Sequence, residues 1–228
     1  MGATSLEGNS VRRIVIAIDG PSSSGKGAIA SAIAAELGFV HMDTGMLYRI
    51  FAAEFAKNYI HSSSAENYEI CITAEDRCKM LSLLTENNGQ YSSEAVGKAA
   101  SIISRNGRVR AALLPIQQEF VRSSKRGVVL DGRDIATIVC PDADVKIFIT
   151  AYASVRALRR YKQLRLRNGT RKVMYKNVFY SLLSRDIRDS CRSKGPLMRV
   201  KEAYYLNNSH INKEISLHQL MKKIKTFL

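Results

Sequence analysis

The sequence predicts an α/β protein in which a central, five-stranded parallel sheet is covered by helices on both faces, as a three-layer sandwich. Two observations lead to this prediction. Five short apolar segments have the composition of buried strands, and the stretches between them carry apolar residues at helical spacing. Strands that alternate with helices form parallel sheets through right-handed crossovers. With 228 residues, the chain is long enough for one domain and a smaller sub-domain.

The first four elements form one strand–helix–strand–helix unit. A strand is predicted for residues 11–19, which are rich in β-branched side chains and end at a Gly-Pro pair. A helix follows over residues 25–37, an Ala-rich run that stops at Gly38. Residues 39–41 are predicted to form a short second strand, and residues 46–57 a second helix.

Residues 58–107 depart from this regular alternation, because clusters of serine, asparagine and glycine interrupt short helical pieces. We therefore expect an excursion from the core that is part helix and part loop. The alternation then resumes to the end of the chain. Helices are predicted over residues 108–123, 154–167, 175–190 and 216–227, and strands over residues 127–130, 145–149 and 203–206.

The composition excludes several classes of protein. Hydrophobic residues make up 46% of the chain and charged residues 24%, as in globular domains and unlike disordered or collagen-like chains. No apolar run approaches the ~20 residues that span a bilayer. Residues 1–10 lack the apolar region of a signal peptide and are expected to be flexible. The four cysteines are far apart, which argues against disulfides and metal ligation and favours the cytoplasm.

Charge is the unusual bulk property of the chain. Thirty-five Lys and Arg against 20 Asp and Glu give a net charge of +15. This excess suits an anionic partner, either a nucleic acid, a nucleotide, an acidic lipid or a phosphorylated substrate. A solvated basic surface has the same composition, so motifs must decide between these alternatives.

The strongest motif is the glycine-rich segment GPSSSGK over residues 20–26, between the first strand and the first helix. It matches the start of the P-loop pattern, GxxxxGK[ST]. The glycines allow successive backbone N–H groups to face an anion, and the helix N-terminus adds its positive end. Lys26 would then reach the β- and γ-phosphates. The alternative is a turn that only joins a strand to a helix.

The P-loop pattern is incomplete after the lysine. Gly27 and Ala28 follow Lys26, so no hydroxyl is available where many P-loops hold Mg²⁺. We expect no metal site made of protein ligands alone. Mg²⁺ would instead be held through phosphates, water and carboxylates.

A candidate carboxylate for this purpose is Asp131, which ends the apolar strand over residues 127–130. An aspartate at the carboxyl end of such a strand faces bound phosphates and orients Mg²⁺ or its water. A turn-capping aspartate is the alternative. Arg133 and Asp134 follow directly and place two more charges at the same sheet edge.

Two groups of arginines complete the candidate site. Guanidinium groups suit phosphate because they form paired, charge-assisted hydrogen bonds. The arginines of the first group lie at positions i, i+3 and i+4, and so on one face of a helix. No acidic residue stands four positions before or after them. We therefore expect these arginines to be unpaired, to repel one another and to keep this segment open. A salt-bridged solvent face is the alternative for both groups. The groups are Arg156, Arg159 and Arg160, and Arg185, Arg188 and Arg192.

The chain resembles the bacterial cytidylate kinases, which are nucleoside monophosphate kinases with a P-loop NTPase fold. The resemblance rests on five segments that cover about half of the chain. They are IAIDGPSSSGKG (16–27), MDTGMLYR (42–49), AASIISRNGRVRAALL (99–114), LDGRDIATIVCPDADVKIFI (130–149) and RDIRDSCRSKGPL (185–197). Family members usually carry Thr where Ala28 stands and Asp near Asn207.

The resemblance implies a P-loop core, an insert that binds the nucleoside monophosphate, and a short lid. The core would comprise residues 11–57, 108–150 and 175–228. The insert would be residues 58–107, and the lid residues 151–174.

The resemblance also implies the residues of the two substrate sites. The P-loop and one arginine would bind ATP: Gly20, Pro21, Ser22, Ser23, Ser24, Gly25, Lys26, Gly27, Ala28 and Arg159. The acceptor would be bound by Thr44, by Arg49, Arg133 and Arg192 at its phosphate, by Ser101, Arg110 and Asp134 at cytosine, and by Arg185 and Asp189 at the ribose. The residues implied in phosphoryl transfer are Lys26, Arg133, Arg156, Arg160 and Arg192.

The expected reaction is transfer of the γ-phosphoryl group of ATP, with Mg²⁺, to CMP or dCMP in pyrimidine nucleotide metabolism. The expected protein is a cytoplasmic monomer without a nucleic-acid or membrane partner. A nucleic-acid-binding P-loop module is the alternative, suggested by the net charge of +15. No fingerprint of an RNA- or DNA-binding fold supports that alternative.

Overall fold

The computed structural model describes residues 13–59, 70–86, 89–168 and 173–228. The predictions for residues 1–10, for the start of the first strand and for part of the insert and lid lie outside these residues. Five parallel strands form one sheet in the order β2-β3-β1-β4-β5. The strands are β1 (Ile14–Asp19), β2 (Val40–Asp43), β3 (Gly127–Gly132), β4 (Val145–Thr150) and β5 (Tyr204–Asn207). The predicted parallel α/β architecture is confirmed.

Nine α-helices surround the sheet among the described residues. The helices are α1 (Lys26–Leu37), α2 (Thr44–Ile50), α3 (Ala56–Tyr59), α4 (Ala74–Thr85), α5 (Glu94–Ile103), α6 (Gly107–Ser123), α7 (Ala153–Asn168), α8 (Tyr175–Ser190) and α9 (Lys213–Ile224). The predicted helix over residues 46–57 is α2 and the start of α3, joined by a π-helical turn, Phe51–Phe55. A second π-helical turn, Ile135–Val139, follows β3 and was not predicted. None of the described helices is long and apolar enough to cross a membrane.

The alternating side chains of β1 divide the hydrophobic core into two layers. Ile16 and Ile18 lie in the layer between the sheet and helices α1 and α9, where they share a cluster with Leu220. Ala17 points to the other face, into the cluster that contains Leu47 of α2. All five side chains are completely buried, and a buried Leu or Ile contributes about 1.5–3 kcal/mol. The sheet is therefore a rigid base for the loops at its edge.

The parallel strands bring their carboxyl ends to one edge of the sheet. In β1, Asp19 is level with Gly132 of β3 and Phe148 of β4. The loop after β1 and the segment after β3 therefore lie side by side, where parallel α/β proteins bind their ligands.

The insert contributes two helices to this edge. Within residues 70–86 and 89–107, the structure contains α4, a short 3₁₀ turn and α5, and no strand. α5 packs against α2 and α8. Through this packing, the buried Ser101 of α5 lies near residues of α2 and α8.

Candidate active site

The loop between β1 and α1 has the backbone of an anion cradle. Gly20 has a φ of 154°, and a side chain there would collide with the carbonyl oxygen of Ile149 in β4. Ser23 and Gly25 also have positive φ values, 58° and 87°. Such turns direct backbone N–H groups to one side, next to the N-terminus of α1.

Lys26 is the buried cation of this loop. Its Nζ donates a hydrogen bond to the carbonyl oxygen of Pro21 at 3.4 Å. Burial and the neighbouring charge of Arg133 lower the pKa of Lys26 to about 7, although Asp131 and Asp43 act in the opposite direction. An anion bound in the loop would raise this pKa and hold the ammonium in its charged form.

Two carboxylates, the buried Asp131 and the partly buried Asp43, line the same cavity as the loop. A side chain at Gly27 would point to Asp131, with its Cβ 3.6 Å from Asp131 Oδ2. His41 Nε2 hydrogen-bonds Asp131 Oδ1 at 2.8 Å. Burial and the charge of Asp131 raise the pKa of Asp43.

These carboxylates are suitable oxygen donors for Mg²⁺ or its water. Asp131 lies beside Gly27, the position at which many P-loops carry a hydroxyl group. The residues present therefore fit a Mg²⁺ ion that is held through water. Among the residues that the structure describes, no three His, Cys, Asp or Glu side chains gather into a metal site.

A second charged cluster lies deeper in the same cleft. Asp134 forms buried ion pairs with Arg110 of α6 and with Arg192, whose Nη2 lies 3.2 Å from Asp134 Oδ1. The ring of Tyr48 lies under Arg110, with 5.8 Å between Cζ and the ring centroid. Two guanidinium groups and one carboxylate thus offer several donors and an acceptor to a polar ring. Arg192, which is expected among the phosphate-binding residues, lies next to Asp134.

Arg133, Asp189 and Arg185 form the middle of the cleft. Arg133 Nε donates to Asp189 Oδ2 at 2.8 Å. Burial would raise the pKa of Asp189, but the charges of Arg133 and Arg185 lower it. Burial and repulsion by Arg133, Arg49 and Arg160 lower the pKa of Arg185 to about 10. Arg185 Nε is buried without a hydrogen-bond partner in the described part of the chain, which suits an anionic oxygen.

Arg49, Thr44 and Ser101 also line the cleft. Arg49 Nη1 donates to the carbonyl oxygens of Tyr91, at 2.8 Å, and Ser93, at 3.2 Å, and so ties α2 to the insert. Thr44 donates its hydroxyl to the carbonyl oxygen of Asp131 at 2.9 Å. The Oγ of the buried Ser101 accepts a hydrogen bond from Arg188 Nε at 3.3 Å.

The arginines of α7 are not unpaired, so that expectation was wrong. Arg156 Nη1 lies 2.6 Å from Asp186 Oδ2 and donates to the carbonyl oxygen of Ser22 at 3.1 Å. Arg159 Nη1 donates to Asn208 Oδ1 at 2.8 Å. These partners belong to other elements of the fold, which a search along one helix does not reach. The first turns of α7 are therefore joined to the P-loop.

One cavity of about 440 Å³ unites most of the predicted site residues. It is lined by Ser22, Ser23, Gly25, Lys26, Gly27, Ala28, Thr44, Arg49, Ser101, Arg110, Asp131, Arg133, Asp134, Arg159, Arg160, Arg185, Asp189 and Arg192. Of the predicted set, the residues outside this lining are Gly20, Pro21, Ser24 and Arg156.

Sequence reasoning missed two buried residues that organise this site. Both oxygens of the Asp19 carboxylate accept hydrogen bonds, from the backbone N–H groups of Ile135 and Ala136, at 2.8 Å each. Asp19 thereby joins β1 to the segment that carries Arg133 and Asp134. Asn208 joins the P-loop to α7. The position of Asp19 just before the P-loop was a usable signal; Asn208 had none in the sequence.

Comparison with known proteins agrees with this geometry. A family model described as cytidylate kinase matches residues 16–226. A cytidylate kinase of Azorhizobium caulinodans is 39% identical over 204 residues, which are 89% of this chain and 94% of that protein. A cytidylate kinase of Rhodopseudomonas palustris strain BisB18 is 41% identical over 208 residues, covering 88% and 91% of the two chains.

Fold similarity extends to far more distant proteins. The crystal structure of an uncharacterized protein from Eubacterium ventriosum aligns with a TM-score of 0.53 at 13% identity, covering 94% of this chain and 99% of that one. This similarity concerns the fold alone, whereas the family model and the relatives extend over the P-loop and the acidic–basic clusters. The chain belongs to the cytidylate kinase family.

Proposed function

We propose that this protein transfers the γ-phosphoryl group of ATP to CMP or dCMP and releases ADP with CDP or dCDP. The observation that carries the proposal is a single cavity lined both by the P-loop and by the Arg110–Asp134–Arg192 cluster, which we take as its two ends. Phosphoryl transfer depends mainly on positioning two anions and neutralising their charge. This cavity offers positive charge along its length and a base-sized polar cluster at its end.

The donor phosphates fit the P-loop end. The N–H groups of the loop and the N-terminus of α1 would hold the β-phosphate, and Lys26 would reach between the β- and γ-phosphates. Mg²⁺, when bound to ATP, supplies neutralisation of the charge on these phosphates. Asp131 and Asp43 would hold its water molecules, since both carboxylates face the loop.

The acceptor base fits the opposite end. Cytosine has acceptors at O2 and N3 and a donor at its 4-amino group. Arg110 and Arg192 would donate to the first two, and Asp134 would accept from the amino group. Ser101 adds a hydroxyl at the same end. The contact of Arg192 with Asp134 supports this place for it, in preference to the acceptor phosphate.

The acceptor ribose and phosphate fit the middle of the cavity. Asp189 would accept from ribose hydroxyls, and Arg185 lies next to it. Arg133 and Arg49 would hold the acceptor phosphate, and Arg160 would meet the transferring group. The acceptor phosphate is already an anion, so its oxygen attacks the γ-phosphorus in line without a general base.

The insert and the lid that the resemblance implies give roles to the remaining elements. We assign residues 58–107 to acceptor binding and residues 151–174 to a lid that excludes water from the reacting phosphates. The ion pair of Arg156 with Asp186 and the hydrogen bond of Arg159 to Asn208 favour a movement that begins beyond the first turns of α7. We also propose that the protein acts as a cytoplasmic monomer and does not bind nucleic acid.

A coupled assay of ADP formation tests the proposal. Each of CMP, dCMP, UMP, AMP and GMP is supplied as the acceptor at equal concentration with MgATP. We expect rapid turnover with CMP or dCMP and slow turnover with both purine nucleotides. Absence of turnover with any monophosphate, together with salt-dependent binding to random oligonucleotides, would favour the nucleic-acid-binding alternative.

A further inference from the structure

Asn208 is a buried residue to which the mechanism above gives no role. It lies in the turn after β5 and is only 3% exposed. Its backbone N–H donates to the carbonyl oxygen of Thr150 at 2.9 Å, which fixes the turn against β4. Its side chain is therefore held at a constant place relative to the sheet, and points to the P-loop.

The carboxamide of Asn208 connects two parts of the donor site. Its Nδ2 donates to the carbonyl oxygen of Ser24 at 2.8 Å, and its Oδ1 accepts from Arg159 Nη1 at 2.8 Å. The backbone oxygen of Asn208 accepts from Arg159 Nη2 at 2.7 Å. The guanidinium of Arg159 thus donates hydrogen bonds to two oxygen atoms of Asn208, one in the side chain and one in the backbone. A carboxamide combines the donor and the acceptor that these contacts require.

The contact with Ser24 sets the direction of a backbone N–H group. In a trans peptide, the carbonyl and the following N–H point in opposite directions. Because the Ser24 carbonyl points to Asn208, the N–H of Gly25 points away from it, and Gly25 lines the nucleotide cavity. Arg156 acts in the same way two residues earlier, since it donates a hydrogen bond to the carbonyl oxygen of Ser22.

We propose that Asn208 is a positioning residue for the phosphates of ATP. It orients the Ser24–Gly25 peptide and the guanidinium of Arg159 together, so that both are arranged for the nucleotide before it binds. The proposal rests on the assignment of the P-loop as the ATP site. Among the described residues, Asn208 hydrogen-bonds Ser24, Thr150 and Arg159, and none of these belongs to the Arg110–Asp134–Arg192 cluster, so its effect belongs to the donor site and not to the acceptor site.

The adjacent Asn207 provides a matched control. It is exposed, and its Oδ1 accepts from the backbone N–H of Ser209 at 3.0 Å and from the Ser209 hydroxyl at 2.6 Å. Neither contact reaches the P-loop or α7. Asn207→Ala therefore removes the same chemical group from the same turn without touching the donor site.

The test compares Asn208→Ala with Asn207→Ala by calorimetric titration of a non-hydrolysable ATP analogue and, separately, of CMP. We expect Asn208→Ala to weaken binding of the ATP analogue at least about tenfold and binding of CMP less than about twofold. The reason is that the variant loses the hydrogen bond between the side chain and the charged Arg159. Asn207→Ala should bind both ligands as the wild type does. Equal weakening of both ligands by Asn208→Ala, or unchanged ATP binding, would overturn the proposal.

A double-mutant cycle shows whether Asn208 acts through Arg159. If it does, the losses of ATP affinity in Asn208→Ala and Arg159→Ala are not additive in the double variant. Additive losses would contradict the proposal. If Asn208→Ala does not fold, Asn208→Asp keeps the volume and the acceptor for Arg159 but loses the donor to Ser24; wild-type ATP binding by this variant would also contradict it.

The ATP titration does not depend on which monophosphate is the acceptor. Failure of the wild-type protein to phosphorylate CMP would therefore overturn the proposed reaction and leave the test of Asn208 intact.

Discussion

The two ends of the active-site cavity are built in different ways. The proposed donor end is lined by one continuous stretch of chain, through residues 22, 23 and 25–28, with a single lysine. The proposed acceptor end consists of side chains from distant elements, held by the ion pairs Arg110–Asp134 and Arg192–Asp134. Backbone N–H groups bind any phosphate, whereas a pattern of side-chain donors and acceptors can distinguish one base from another. In the proposed function, general phosphate binding and base selection are thus divided between the two ends.

Lys26→Ala gives the largest expected effect on catalysis. It removes a charge contact to the transferring phosphoryl group, so kcat falls about 10²–10³-fold, which corresponds to about 3–4 kcal/mol. The loss should be the same for CMP and dCMP, because the donor end is indifferent to the acceptor. Steady-state rates and thermal unfolding are the measurements. A folded variant with near-normal turnover would show that the P-loop does not bind the transferring group.

Asp19, just before the P-loop, accepts hydrogen bonds from the segment that follows Arg133 and Asp134. Its titration gives the second-largest expected effect, which is on the stability of the fold. Burial raises its pKa from 3.8 to about 6, so the folded protein binds a proton that the unfolded chain has released between these values. The contribution of Asp19 to stability is therefore fully present below pH 3.8 and lost as the pH rises through 6. The loss amounts to about 3 kcal/mol at pH 7.

Asp19→Asn removes this titration. The free energy of unfolding of the variant, minus that of the wild type, should increase from pH 4 to pH 7, as measured by urea denaturation at each pH. A difference that is constant over this range would mean that Asp19 has its ordinary pKa.

Asp134→Asn tests the selective end. Asn keeps an oxygen acceptor but adds an amide donor, which suits O4 of uracil better than the 4-amino group of cytosine. We expect kcat/KM for CMP to fall about 10–100-fold, the equivalent of ~1–3 kcal/mol, and the CMP to UMP ratio to fall with it. The KM for ATP should not change. An unchanged CMP to UMP ratio would remove Asp134 from base recognition.

Ala28→Thr should give the smallest effect. Ala28 is exposed at the start of α1, and Asp131 already lies beside the preceding position, Gly27. A new hydroxyl at position 28 therefore adds little, and the Mg²⁺ concentration for half-maximal activity should change less than about threefold. A larger shift would show that the two carboxylates do not replace the P-loop hydroxyl.

The sequence predicts the donor end well because its residues are consecutive. A strand, a glycine-rich turn and a helix are local features, and the segment GPSSSGK is recognisable without a structure. The sheet was predictable for the same reason, since each strand is a short apolar run. The π-helical turn at Ile135–Val139 was missed because nothing in an apolar pentapeptide distinguishes it from a strand end.

The acceptor end and the links between elements were less predictable. Arg156 forms an ion pair with Asp186, which is 30 residues away, and Arg192 forms one with Asp134 from another part of the chain. Charge patterns on one helix do not contain such pairs. The resemblance to a family supplied most of the residues that line the cavity, but only the folded structure shows that Arg192 contacts Asp134 and that Asn208 contacts the P-loop.

The central claim is that one continuous cavity holds both nucleotides end to end. Titration with adenosine and cytidine joined by five phosphates tests this claim most directly. The account predicts one molecule bound per chain, tighter than either ATP or CMP, after which neither ATP nor CMP binds. Continued binding of ATP or CMP to the saturated protein would contradict it.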